Sequence, residues 1–575
     1  MKKLLGIVGA IILTLTAGIS LVACGGPADE REQINSSQTQ VYVGTFDGAF
    51  GKEWIYQVAD AFEEYYKDTP FETGKKGVQV MVDMNRAYTG TNLLSTIENN
   101  SNDLFFTEVV NYYDFVSQGK IADISDIVTQ PFPEIYGEEG NIAGKLSASV
   151  NSYLSWNESD GAHYYALPFY EAQGGIMYDA DLFEDYNFYF SDGGNGSKWI
   201  SNSYKTKSLG QDGKTGIIDG KDYSIDDGLP VTYEDFYDLC DRIYQSGCTP
   251  LIWSGQYIGN LTYLATSLWA DYEGATDMTL NYTFDGTAHH ILDTSTMAES
   301  EVEINPDDTT GKELAKQAGR YHALTFLEEL YANSSWLDGA CTNQNLDHIS
   351  AQYMFLNSKY SSSSNPIAML IDATWWENEA TDSFQRVVNG GGGEEASKLN
   401  RNIAMMPLPQ ATAERAAEKA EGRKNTYVSI NDTFAFIRES STGVRRQLAK
   451  LFLQFCYTDE ALNIFTSVTN TPMLVNYELK EETKGKMSHY GRTLFEMRSN
   501  SDVVFPGSQT PLFMQNQSSL DTRSTWDSRI GGLTYEVPAA YIRDNPHDGV
   551  ALTYFNGIYS HYNYNWDTYL SRIGA

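Results

Sequence analysis

VYVGTFDGAFGKEWIYQVADAFEEYYK, residues 41–67, followed by GVQVMVDM, residues 77–84, decides the fold. Val41-Tyr42-Val43 is a β-branched and aromatic run, the composition of a strand. Phe46-Asp47-Gly48-Ala49-Phe50-Gly51 is a turn punctuated by glycine. From Lys52 to Lys67 the apolar residues Trp54, Ile55, Val58, Ala59, Phe62, Tyr65 and Tyr66 fall on one helical face. Val78, Val80, Val82 and Met84 then alternate with other residues, as in a second strand. Strand, turn, helix and strand make a βαβ unit, and the fold class predicted is α/β with helix-covered parallel strands.

Similar signals recur downstream. Thr232-x-x-Asp235 is a capping-box pattern ahead of Phe236, Leu239, Cys240 and Ile243, with Gly247 as the stop. Gly443–Cys456 is amphipathic, through Val444, Leu448, Leu451, Phe452 and Phe455, and Thr458-Asp459-Glu460 opens a further helix with a cap and two acids. Three stretches read as polar insertions: 191–230, 271–312, and 389–400 with Gly390 to Gly393. No internal repeat is evident.

The first 24 residues are MKKLLGIVGAIILTLTAGISLVAC. Lys2 and Lys3 form a positive start, Leu4 to Val22 is apolar, and small residues meet Cys24. Leu21-Val22-Ala23-Cys24 resembles the lipobox of bacterial lipoproteins. That resemblance implies a signal peptide over 1–23, a diacylglyceryl thioether on Cys24 and a body on the outer face of a cell membrane. The alternative is an uncleaved anchor. Residues 24–37 are Gly, Pro, Ser, Gln and charge, the composition of a flexible tether. No other apolar run approaches the ~20 residues of a membrane span.

The chain has 575 residues, room for several domains or two large lobes. Lys+Arg number 40 against 76 Asp+Glu, a net charge of −36, and loss of 1–23 removes two lysines and brings it to −38. A nucleic acid partner is disfavoured, because phosphate contacts need clustered cations. Five cysteines include no C-x-x-C, and eight histidines show no metal spacing. Cys240 and Cys248 are near enough in sequence for a disulfide, but small buried hydrophobes are the favoured reading. Gly213-Lys214-Thr215 ends like a phosphate loop, yet Ser208 stands where the first glycine belongs, so no ATPase is supported.

Taken in order, these signals resemble the extracellular solute-binding proteins of ABC importers, in the maltose- and oligosaccharide-binding branch. Residues 41–54 resemble that family's first strand, loop and helix. Tyr165–Asp179 (YALPFYEAQGGIMYD) resembles its first crossover, with Asp179 in place of the usual asparagine. Ile367–Trp376 (IAMLIDATWW) resembles a "small-Met-x-x-Gly-x-Trp" strand, with Ala373 replacing glycine. Ile403–Pro409 (IAMMPLP) resembles the approach to the next crossover, IDDGLPVTYEDF (225–236) a variant of long Gram-positive members, and 431–477 the return helices. The resemblance implies a periplasmic-binding-protein-like fold: lobe one at 38–170 plus 430–482, lobe two at 171–429 plus 483–575, hinge strands between them and a ligand cleft. It implies carbohydrate capture without catalysis, an ABC permease with a separate ATPase as partner, a monomer and no cofactor.

Candidate ligand residues follow. Phe46, Asp47 and Phe50 lie on the first strand-to-helix turn, where open α/β sheets bind ligands, and a carboxylate there suits a sugar diol. Asp47 serves equally as a helix-capping turn residue. Tyr170 and Glu171 lie at the crossover; by resemblance the glutamate faces the cleft, and Glu171→Ala is expected to weaken binding with little loss of stability. Trp375 and Trp376, read as adjacent strand residues, point to opposite faces, so one stacks on a pyranose and one packs. Trp253 and Trp526 are further candidates, with core packing as the other reading. Asp212, Asp219, Asp222, Asp226 and Asp227 crowd one insertion; the spacing fails the EF-hand pattern, leaving a weak Ca²⁺ candidate against a solvated acidic loop. Arg86, Arg423 and Lys424 are the cations to check for a basic cleft. An extracellular glycoside hydrolase or lyase, needing only two placed carboxylates, is one alternative. A surface binding or sensor protein is the other.

Overall fold

A computed structural model describes residues 33–46, 48–211, 226–429 and 433–575. The leader, Cys24, Asp47, Asp212, Asp219 and Asp222 lie outside the described residues.

The opening βαβ unit forms as its pattern predicts. Strand β1 (Thr39–Thr45) and strand β2 (Val78–Met84) pair in parallel, Val41 opposite Val80. Helix Glu53–Tyr66 crosses between them and buries Trp54, Ile55, Val58, Ala59, Phe62 and Tyr66. Strand β3 (Leu104–Thr107) joins β1 in parallel. Strand β4 (Leu167–Pro168) ends the first pass, and the chain then enters strand β5 (Gly174–Asp179) of a second sheet. Strands β6 (Thr249–Ile252), β7 (Ile367–Ala373) and β8 (Ile403–Met406) complete that sheet in the order β8-β5-β7-β6. After strand β9 (Asn425–Val428) the chain returns to the first sheet as strand β10 (Phe434–Ile437), giving the order β2-β1-β3-β10-β4. Strand β11 (Ser501–Val504) pairs with β9 in parallel. The result is two α/β lobes, each with a helix-covered sheet.

Three segments cross between the sheets and are tied to one another. Phe169 donates its N–H to Thr433, Leu474 donates to Phe169, and Glu171 donates to Pro472, all at 3.0–3.1 Å. Three extended segments in register bend together without breaking either core, the property of a hinge.

Local signals elsewhere are also realised. Thr232 and Asp235 form a reciprocal capping box at helix Tyr233–Gln245, which buries Phe236, Leu239, Cys240 and Ile243. Thr458 caps helix Asp459–Thr469 by accepting from Ala461. Cys240, Cys248, Cys341 and Cys456 are free and buried. No helix among the described residues is long and apolar enough to cross a membrane.

The stretch 271–312 departs from the polar insertion expected. Its first third completes Asn260–Thr283, two helical pieces that break at Gly274 (φ 79°, ψ 167°), and a hairpin, Gly286–Asp293 with Ala298–Ile304, follows. Its polar groups are buried because they are partnered. Asp271 accepts from Lys419 Nζ at 2.7 Å and Thr426 N at 2.9 Å. Asp277 accepts from His289 N at 2.6 Å. Arg320, fully buried, lies 3.6 Å over the Trp269 ring and donates to Asn281 at 3.0 Å. Hydrophobic periodicity misses such a helix, since satisfied polar groups sit where the pattern expects apolar ones.

Gly174, at the head of β5, is needed for close approach. A Cβ there stands 2.3 Å from Tyr263 C and 2.4 Å from Leu264 N, both backbone atoms of helix Asn260–Thr283. Gly174→Ala therefore pushes that helix off the sheet, at an expected cost of about 1–3 kcal/mol or more. Chemical denaturation of the variant measures it, and an unchanged midpoint contradicts the close packing.

Candidate functional site

The two sheets meet end to end at the crossing. Ala373, last in β7, lies opposite Gly174, first in β5, because those strands are antiparallel. The carboxyl ends of β1 and β3 therefore face the carboxyl end of β7 across residues 169–173. This is the crevice in which open α/β sheets place ligands.

On the first lobe, Phe46 and Phe50 are partly buried and Tyr170 is buried. The Phe50 ring meets Tyr170 edge-on at 4.6 Å and lies 5.9 Å from Phe465. With Thr107, Glu108 and Phe169 these rings enclose a niche of about 20 Å³. That holds about one water, so Phe46 and Phe50 pack against the wall of the first lobe. Tyr170 donates its hydroxyl to Glu108 Oε2 at 2.5 Å. Burial raises the Glu108 carboxyl above its ordinary range, against the Tyr170 hydrogen bond and the positive charge of Arg523.

On the second lobe, Trp375 is half-buried and meets Tyr170 edge-on at 6.5 Å and Tyr263 at 6.0 Å. The three rings bridge the lobes and leave an indole surface open. Behind Trp375 stand Asp372 and Glu379. Gln352 Nε2 donates to both, at 3.1 Å to Asp372 and 3.0 Å to Glu379. Asn260 donates to Asp372 at 2.8 Å. Burial raises both carboxyls, and the Asp372 charge adds to the rise at Glu379. His348 approaches Glu379 at 3.7 Å, and burial lowers its imidazole below the usual value. Arg86 of the first lobe acts on that imidazole, Glu108 on Glu379, and Arg523 on Tyr263. The opposed lips thus feel each other's charge.

Several expected ligand residues are elsewhere. Trp376 is fully buried between Phe355, Phe384 and Tyr490, with ring centroids 5.5–6.0 Å apart. Strand β7 ends at Ala373, so Trp375 and Trp376 separate by helical rotation at the start of helix Trp376–Glu379, not by strand alternation. Trp526 is sealed beside Trp269 and donates its indole N–H to Thr266 at 2.9 Å. Trp253 is buried against Tyr331 at 5.7 Å. Glu171 is 1 % exposed and accepts from Arg498 Nε at 2.9 Å, which makes it a buried tie of the hinge rather than an open face of the cleft. Asp226 and Asp227 are buried rather than solvated, and Asp226 accepts from Gln211 N. Arg423 is taken up by Asp271 and Gln410, and Lys424 lies 3.8 Å from Asp502.

Glu108, Tyr263, Gln352, Asp372, Glu379 and Arg523 were not singled out from the sequence. Two carried a signal: Asp372 is the one charge in IAMLIDATWW, and Arg523 precedes the candidate Trp526 by three residues. Glu158, Asp160 and His163 bring ligand atoms within 4.8 Å of one another on a surface hairpin. Both His163 nitrogens there already face carboxylates, Asp123 at 2.6 Å and Asp160 at 3.1 Å, which makes a closed ion-pair group. A hollow of about 930 Å³ lies outside the cleft, between helix His489–Ser499 and the far ends of β5 and β8. Its charges are mixed, Lys207, Lys484 and Arg492 against Asp181, Glu184, Asp227, Glu478 and Glu496, and its wall also takes in Tyr477–Leu479 beyond the third crossing.

No protein-family model matches the chain, and no curated protein does. Among solved structures it is similar to a maltose-bound MalE3 of T. maritima, at 12 % identity and a TM-score of 0.52, covering 92 % of this chain and 99 % of that one. It is similar too to the apo form of RafE from Streptococcus pneumoniae, at 12 % identity and a TM-score of 0.50, with the same coverage of both chains. At that identity the likeness is one of fold.

Proposed function

We propose, for a chain with the two-lobed fold of maltose- and oligosaccharide-binding proteins, that it captures a carbohydrate between its lobes and delivers it to an ABC permease. The observation that carries this is the interlobe wall of Tyr170, Trp375 and Tyr263, ringed by Glu108, Glu379 and Arg523. An indole face covers the C–H face of a pyranose, while carboxylates and a guanidinium take its hydroxyls. Contacts made from both lobes at once favour the closed arrangement, which a permease can distinguish from the open one. The lipobox-like Leu21–Cys24 supports a lipid anchor on the outer face of the membrane, and the absence of a nucleotide-binding loop leaves ATP hydrolysis to another subunit. The protein does no covalent chemistry in this reading.

Titration calorimetry against neutral gluco-, galacto- and N-acetylglucosamine oligosaccharides is the test. Saturable heat from at least one, with the sugar recovered uncleaved, is the expected result. Heat only from peptides or polyamines overturns the carbohydrate assignment, and recovered cleavage products overturn the binding role in favour of a hydrolase.

A further inference from the structure

Two carboxylates that share one amide donor at the floor of the cleft form an unusual group. Asp372 is 2 % exposed and Gln352 is fully buried. Gln352 uses its Nε2 on both acids, while its buried Oε1 has no donor. Asp372 also accepts from Asn260 and from the Ala373 N–H, so the acceptor of the trio left without hydrogen is Gln352 Oε1. No Lys or Arg among the described residues pairs with either acid, although the same chain pairs its buried Asp179 with Arg401 and Asp271 with Lys419. Two like charges in one buried site cannot both stay ionised cheaply, and the least costly remedy is a proton.

The groups facing the pair leave that remedy in place. On their own side stand His348, its imidazole held toward neutrality by burial, and Tyr263 and Tyr490, whose phenols burial keeps protonated. Glu108 of the first lobe acts on Glu379 and adds negative charge across the cleft. Arg523 acts on Glu108 and Tyr263, and Arg86 acts on His348. Glu379, four residues beyond Trp375, keeps the partial exposure that Asp372 has lost.

We propose that Asp372 and Glu379 share one proton at neutral pH and that covering Glu379 with a neutral ligand holds that proton more tightly, so that capture in the cleft is proton-linked. The inference rests on the binding reading given above and adds a regulation to the same site. Burial and the Asp372 charge push Glu379 up to about 8, and the titration steps belong to the pair rather than to either residue. The sign follows. A neutral ligand removes water from Glu379 and raises the pair's upper step further, so the complex binds more proton than the free protein. Affinity is then level below the free pair's upper step and falls as pH rises through it, by at most about tenfold per pH unit for one proton. A cationic ligand gives the opposite slope.

Two measurements separate this from the functional reading. The first needs no ligand. Infrared difference spectra at pH 7, wild type minus Glu379→Gln and wild type minus Asp372→Asn, cancel every other buried acid. A protonated-acid C=O band that appears in both and titrates away together as pH is raised is the expected result; its absence from both overturns the proposal. Should one variant fail to fold, the other difference decides. The second is the affinity of whichever oligosaccharide of the panel binds, followed from pH 6 to pH 9 in wild type and Glu379→Gln. A decline with pH in wild type that is lost in the variant is expected, and a flat or rising wild-type profile overturns the linkage. If no oligosaccharide binds, the carbohydrate reading fails while the infrared result still decides the shared proton.

Discussion

Glu171→Ala unfolds the protein more readily by about 3–5 kcal/mol, the usual cost of removing one member of a buried ion pair. Glu171 Oε2 accepts from Arg498 Nε at 2.9 Å, and Arg498 also donates to Val475 O at 3.2 Å. Glu171 lies on the first crossing and Val475 just past the tie between Phe169 and Leu474, so one guanidinium clamps two crossing segments. Truncation leaves that guanidinium buried without its counter-charge. The family resemblance alone predicts the reverse, lost affinity with stability kept. Denaturant midpoints measure the cost, and Glu171→Leu combined with Arg498→Met should be less costly than either single change, because no charge is left stranded. An unchanged midpoint with lost sugar affinity would return Glu171 to the ligand.

Trp375→Ala and Trp376→Ala should have opposite phenotypes, though the residues are adjacent. Trp375 offers the open indole surface between the lobes, and truncating an aromatic anchor of that kind costs about 2 kcal/mol or more, roughly a 30-fold loss of affinity. Stability should change little, since the side chain is half-buried. Trp376 is enclosed by Phe355, Phe384 and Tyr490. Its removal leaves a cavity worth about 3–5 kcal/mol of stability. Calorimetry and thermal melts on the two variants separate the roles. Lost affinity in Trp376→Ala with its melting point unchanged would exchange them.

The pairs Trp375/Trp376 and Arg523/Trp526 show where reading the chain succeeds and where it stops. In each, a short motif leads to the right neighbourhood, and the choice of residue turns on a helix start or a loop turn of a few residues. Glu108, Gln352 and Glu379 escape notice for another reason. Their neighbours along the chain are ordinary, and they gain meaning only from partners beyond any local motif, 20 positions away for Gln352 and Asp372 and 62 for Glu108 and Tyr170.

What the amino-acid order settles by itself is local. Period-two and period-3.6 apolar patterns, the Thr232–Asp235 cap and the Thr458 cap each depend on atoms within a turn or two, so strands, helices and the α/β class follow from them. What only the folded chain decides is which polar and aromatic groups face the gap between lobes. Glu108, Tyr170, Asp372 and Arg523 are brought there by three crossings between two separate sheets, and burial and charge at that meeting point are properties of the assembled neighbourhood rather than of any segment.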